Sequence, residues 1–121
     1  MVGTHSVIYQ WHIFVASLDP TTGAEQAGTR PVMVVSRESS NQSLPVVNVI
    51  PVTSRKSLSR IIYRNEVLLP AGTAGLRVDS IALCYQVRTL DKNRLERVLG
   101  AVQDIGLRLK LQEAIRFQLD L

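Results

Sequence analysis

The sequence predicts a small, mainly β domain, an antiparallel barrel closed by C-terminal helices. Short runs rich in β-branched and aromatic residues recur over the first two thirds of the 121-residue chain. Clusters of Pro, Gly, Asn and Ser part them, as turns require. The last third loses that punctuation and spaces its apolar residues as a helix does. Apolar residues make up 45% of the chain and charged residues 20%, the balance of a packed globule rather than a disordered tail. One domain over residues 1–121 is expected, with the barrel over about 7–90 and the helical part over about 91–119.

The elements follow in order. VIYQWHIFVASL (7–18) reads as the first strand and ends at Asp19-Pro20. DPTTGAEQAGT (19–29) has the glycines, threonines and proline of a long, mobile loop. PVMVVSR (31–37) and PVVNVIPVT (45–53) are strands parted by a polar loop. Pro51 removes a backbone donor and predicts an edge or a bulge there. The basic stretch SRKSLSR (54–60) leads to IIYRNEVLLP (61–70), the AGTAGL turn (71–76) and a last strand, DSIALCYQVRTL (79–90). In DKNRLERVLGAV, Asp91 is placed to cap a helix with Leu95, Val98, Leu99 and Val102 on one face. The segment IGLRLKLQEAIRFQLDL starts with strand-like alternation, but its length and the spacing of Leu111, Ala114, Ile115 and Leu119 favour a helix.

Composition also excludes some functions. Cys84 is the single cysteine, so no internal disulfide and no cysteine-based metal site is expected, and the setting is expected to be reducing and cytoplasmic. His5 and Gln10 interrupt the first apolar run and no charged leader precedes it, so no signal peptide is expected. No apolar window reaches the eighteen or so residues of a membrane span. Fourteen Lys+Arg against ten Asp+Glu give a net charge of +4, a modest bias toward a polyanionic partner.

Four blocks in order carry a family resemblance: LDPTTGAEQAGTRPVMVVS (18–36), VIPVTSR (49–55), NEVLLPAGTAGLRVDSIALC (65–84) and YQVRTLDKNRL (85–95). Together they resemble the MazF/PemK toxins of bacterial type II toxin–antitoxin modules over about residues 12–102. The resemblance implies an SH3-like barrel of the CcdB/MazF/PemK type with a C-terminal helix. It implies a homodimer that cuts single-stranded RNA, mRNA above all, without a metal or other cofactor. It also implies an acidic, partly disordered MazE-like antitoxin whose tail lies over the RNA groove and covers Arg30 and Thr53. The apolar PVMVVS and NVIPV segments give dimerisation an independent motive.

Metal-free RNA cleavage uses the substrate's own 2′-hydroxyl, which attacks the adjacent phosphorus, expels the 5′-oxygen and leaves a 2′,3′-cyclic phosphate. The protein must move protons and stabilise the charge gained by the phosphoryl oxygens. Arg30 and Thr53 fall on the family's catalytic positions. A guanidinium offers planar donors matched to phosphate, and the Thr53 hydroxyl can donate to the same group. By the same resemblance Glu25, Gln26, Ser54, Arg55, Gln86 and Arg88 are candidate RNA-binding residues. Alternation along one strand predicts that Gln86 and Arg88 face the same side. Arg60 and Arg64 could extend a phosphate track, although scattered surface charge explains them equally well.

Departures from the family pattern matter as much. Some PemK relatives have a histidine in the first loop and an arginine and an aspartate flanking the cysteine, where this chain has Ala24, Leu83 and Tyr85. Trp11-His12 stands where the family usually has glycine and an acid. Trp11 is expected in the core or an interface rather than as a base platform, His12 on the opposite face, and Cys84 in the core. The alternative function is a CcdB-like, non-enzymatic poison of DNA gyrase, which shares the barrel without needing the TRP and VTS blocks.

Overall fold

The computed structural model describes residues 7–121; residues 1–6, with His5, lie outside the described residues. The order is β1 His12–Ser17, β2 Thr29–Val34, α1 Glu38–Ser43, β3 Val46–Ser54, β4 Glu66–Leu69, β5 Ser80–Leu83, β6 Arg88–Asp91, β7 Leu95–Ala101 and α2 Ile105–Leu119. Every strand pairing is antiparallel, and the main path runs β4-β5-β3-β2-β1-β7 with β6 added to β3. The sheet is the mainly β, helix-closed architecture that the sequence predicts.

β3 organises the molecule. Its first half pairs with β6 from Val46 to Val49, and its second half pairs with β5 from Val52 to Ser54. Pro51 falls between these two ladders, so its missing donor marks the bend of a central strand rather than a sheet edge. A three-residue 3₁₀ turn, Lys92–Arg94, joins β6 to β7 and curls β6-β3-β2-β1-β7 round on itself.

Period-two alternation then gives the sheet two cores. Phe14, Ala16, Val32, Val34, Val47, Val49 and Leu90 point inward to one. Ile13, Met33, Ile50 and Val52 point to the other, where Leu69, Leu111 and Ala114 meet them from β4 and α2. Asp104 caps α2 by accepting from the Leu107 amide. Trp11 packs in this second core, 8% exposed, and Cys84 is fully buried there.

Several expectations fail locally. Asp91 does act as a cap, accepting from the Asn93 amide, but the turn it starts is one 3₁₀ turn long. Residues 95–101, expected as a helix, are β7, paired with β1. The polar stretch after β2 contains α1, whose Glu38 accepts from the backbone amides of Tyr9 and Gln10. The expected strand over 79–90 is broken by a 3₁₀ turn at Cys84–Gln86. PVMVVS and NVIPV supply no dimer face: Val32, Met33, Val34, Val49 and Ile50 are wholly buried within the protomer.

Candidate active site at the mouth of the barrel

The loop between β1 and β2 crosses one end of the inward core and is held there by side chains of neighbouring strands. Asp19 Oδ1 accepts from the Gly28 amide at 3.1 Å, closing the loop's base. Gly28 sits at φ +77°, a left-handed conformation that suits glycine. Within the loop, Glu25 Oε1 accepts from the Thr22 amide at 2.6 Å while the Glu25 amide donates to the Thr22 carbonyl. From across the mouth, Gln86 Oε1 accepts from the Gln26 amide at 2.8 Å, and Gln86 Nε2 approaches the Ala24 carbonyl at 3.4 Å. Arg88 Nη1 donates to the Leu18 carbonyl at 3.1 Å, and Arg94 Nη1 donates to the carbonyls of Ser17 and Asp19.

Between loop and strands lies a cavity of about 430 Å³ whose walls include Glu25, Gln26, Pro51, Tyr85, Gln86 and Arg88. That volume is in the range of small-ligand clefts. Gln86 and Arg88 therefore share one site, although the 3₁₀ turn removes the strand alternation that predicted it. Gln26 Oε1 is buried without a hydrogen-bond partner among the described residues, so an acceptor is left open beside this cavity.

Arg30 and Thr53 lie just past the end of the β2–β3 ladder and are not among the residues lining this cavity. The β2–β3 ladder ends at Val32↔Pro51, and two residues further along each strand stand Arg30 and Thr53. Alternation puts Arg30 on the face of Val32 and Thr53 on that of Pro51, which is one wall of the cavity. Arg30 is exposed and Thr53 half-buried. Arg30 Nε donates to the Ala27 carbonyl at 2.8 Å, which fixes the guanidinium and leaves both Nη groups without a protein partner among the described residues. A planar fork braced on one edge and open on the other suits a phosphate.

Two candidates lie elsewhere. Ser54 is exposed and pairs with Ser80 on β5. Arg55 Nη2 donates to the Leu58 and Arg60 carbonyls at 2.9 and 3.0 Å and so folds the 55–60 loop, while its buried Nε has no partner among the described residues. His12 lines a separate cavity with Tyr9 and Phe14. Burial, helped by the Glu66 charge, pushes the Cys84 thiol up to about 12, which leaves it an uncharged core group. Sequence reasoning missed the loop hook Arg94 and treated Tyr85 only as a departure from pattern. Neither has a periodic signal, because both act from 3₁₀ turns. Among the described residues, no three His, Cys, Asp or Glu side chains are grouped to hold a metal ion, and no helix is long and apolar enough to cross a membrane.

The sequence matches, over residues 9–119, a family described as PemK-like, MazF-like toxin of type II toxin–antitoxin system. It is 38% identical over 114 residues to Endoribonuclease MazF9 of Mycobacterium tuberculosis, spanning 90% of this chain and 93% of that protein. It is 36% identical over 92 residues to Endoribonuclease MazF of Staphylococcus saprophyticus, spanning 76% and 75%. The fold superposes on the crystal structure of MazF (form I) from Deinococcus radiodurans with a TM-score of 0.78 and 25% identity, covering 96% of this chain and all of that one.

Proposed function

Because the chain belongs to the PemK-like, MazF-like toxin family of type II toxin–antitoxin systems, we propose that it is an endoribonuclease cutting single-stranded RNA, with mRNA the main target. The observation that carries the reading is the Arg30 fork, braced on the Ala27 carbonyl of the loop that walls the Gln26–Gln86 cavity and open at both Nη groups. A base enters that cavity, where the free Gln26 acceptor and the Glu25 carboxylate supply polar contacts. Its phosphate lies at the mouth against Arg30 and Thr53. The substrate's 2′-hydroxyl attacks phosphorus, the phosphoryl oxygens gain charge against the Arg30 Nη donors and the Thr53 hydroxyl, and the 5′-oxygen departs with a proton. The chemistry calls for no metal or cofactor. Arg88 and Gln86 keep the loop seated, so they position the site as well as line it.

The protein acts in the cytoplasm as a homodimer. Its interface uses exposed apolar residues of α2, Ile105 and Leu109 among them, in place of the buried segments that the sequence suggested. Its partner is an acidic, MazE-like antitoxin whose tail competes with RNA for Arg30 and Thr53. Incubating the purified protein with RNA in EDTA and mapping the fragment ends tests this reading. Fragments ending in 2′,3′-cyclic phosphate are expected. Intact RNA together with inhibited DNA gyrase would overturn it in favour of the CcdB-like alternative.

A further inference from the structure

The geometry points to a second nucleotide subsite next to the first, in which an unpaired RNA base stacks on Tyr85 and Tyr63. The inference rests on the ribonuclease reading and deepens it. A separate cavity of about 570 Å³ has Tyr63, Arg64, Asn65, Tyr85 and Phe117 in its walls, together with the Arg60–Glu66 pair. Tyr85 belongs to the walls of both cavities, so a strand leaving the Gln86 site passes this ring.

Both rings are exposed, Tyr63 by 59% and Tyr85 by 42%, yet both are carried on fixed backbone. Tyr85 stands in the 3₁₀ turn between fully buried Cys84 and Gln86, whose side-chain Oε1 accepts from the Gln26 amide of the first loop. The Tyr63 amide donates to Glu66 Oε1 at 3.1 Å, and Glu66 is itself gripped by both Nη groups of Arg60 at 2.8 and 2.7 Å. Rings held this way offer stacking area with little ordering cost.

Charge selects the occupant. The segment from β3 to β4 carries Arg55, Lys56, Arg60 and Arg64 against Glu66 alone. Arg60 is neutralised by Glu66, which leaves Arg64, lying 4.2 Å over the Phe117 ring, as the cation on this cavity's wall. Aromatic faces beside a guanidinium that no carboxylate neutralises suit a base with its phosphate, and stacking tolerates any base. An apolar protein partner would have no use for that excess of positive charge.

The test starts from an oligonucleotide containing a cleavage site mapped with the wild-type protein, and follows kcat and KM for Tyr85→Ala, Tyr63→Ala and Tyr85→Phe. Tyr85→Ala should raise KM about tenfold, with the effect falling on KM rather than kcat, and Tyr85→Phe should behave as wild type. Replacing flanking nucleotides one at a time by abasic sites should reveal one position whose loss costs wild type the same factor and costs Tyr85→Ala nothing further. Tyr63→Ala should weaken the same position. An unchanged KM in Tyr85→Ala, or penalties that simply multiply at every position, would overturn the subsite while leaving the nuclease standing. A shift of Tyr85→Ala toward monomer in sedimentation would also overturn it, assigning the face to a second copy of the chain. If the wild type neither binds nor cuts any RNA, the ribonuclease reading falls and takes the subsite with it.

Discussion

The two cores of this molecule are closed by opposite means. Over the core of Ile13, Met33 and Ile50, α2 lays Leu111 and Ala114, both buried, and closure is by apolar contact. At the mouth of the core built on Phe14 and Val32, closure is by a loop held through polar hooks. Gln86, Arg88 and Arg94 grip its backbone, and Arg30 grips Ala27. Apolar closure excludes water and fixes the fold. Polar closure leaves donors and acceptors for which a ligand can compete, which is why the proposed site is at the second mouth.

Substitutions on the two sides should separate stability from activity. Leu111→Ala empties a fully buried site beneath α2 and should cost about 2–5 kcal/mol of stability, read by urea denaturation. Cleavage per folded molecule should not change. Arg30→Ala should do the reverse, losing about 2.7–4 kcal/mol of transition-state stabilisation in kcat/KM with an unchanged urea midpoint. If Arg30→Ala unfolded the protein or kept full activity, the division between a structural and a chemical face would fail.

That division also tracks what the sequence made legible. Strands β1, β2 and β3 show as β-branched runs because both of their faces are buried. α2 shows because Leu111 and Ala114 repeat at helical spacing on its core side. β7 is hidden in the sequence because its ladder with β1 shifts register between Ile13 and Phe14 and again between Val15 and Ala16. Those irregularities erase period-two alternation and leave Leu95, Val98, Leu99 and Val102 at a spacing that mimics a helix. α1 has no apolar period; Glu38 and Asn41 hold it through hydrogen bonds, to which a hydrophobic pattern is blind. At the site, Arg30 and Thr53 come from family resemblance, and the face each takes follows from the sheet: Arg30 is paired with Ala16 and Thr53 with Ile81. The structural part of Arg55 was illegible, because a cation in a basic stretch looks the same in sequence whether or not it also folds a loop through backbone carbonyls.

A subtler break concerns the loop alone. Gln86→Ala removes the acceptor for the Gln26 amide and the donor to Ala24. Exchange of the Gln26 amide with deuterium should accelerate by the equivalent of about 0.5–1.5 kcal/mol, while amides of α2 keep their protection. Equal acceleration in both places would mean that the two closures open together.

The smallest expected effect is a dependence on pH that belongs to neither mouth. Arg60 hydrogen-bonds Glu66 and, against the opposing effect of burial, holds its carboxyl below the usual 4.5. Burial acts to raise Glu38, but hydrogen bonds from Gln10, Gln42, Asn41 and Tyr9 outweigh it and leave that carboxyl lowered too. A carboxyl lowered on folding stabilises fully above its unfolded value and loses that contribution as pH falls through the folded one. Urea midpoints should therefore hold steady down to about pH 5 and decline below it. Glu66→Gln should lower the neutral-pH midpoint and flatten part of the decline, since its amide cannot titrate. A slope unchanged by Glu66→Gln would show that the Arg60–Glu66 pair is not linked to folding. The rigid support given to Tyr63 would then have to come from the chain around it, and Tyr63→Ala would lose its value as a probe of the second cavity.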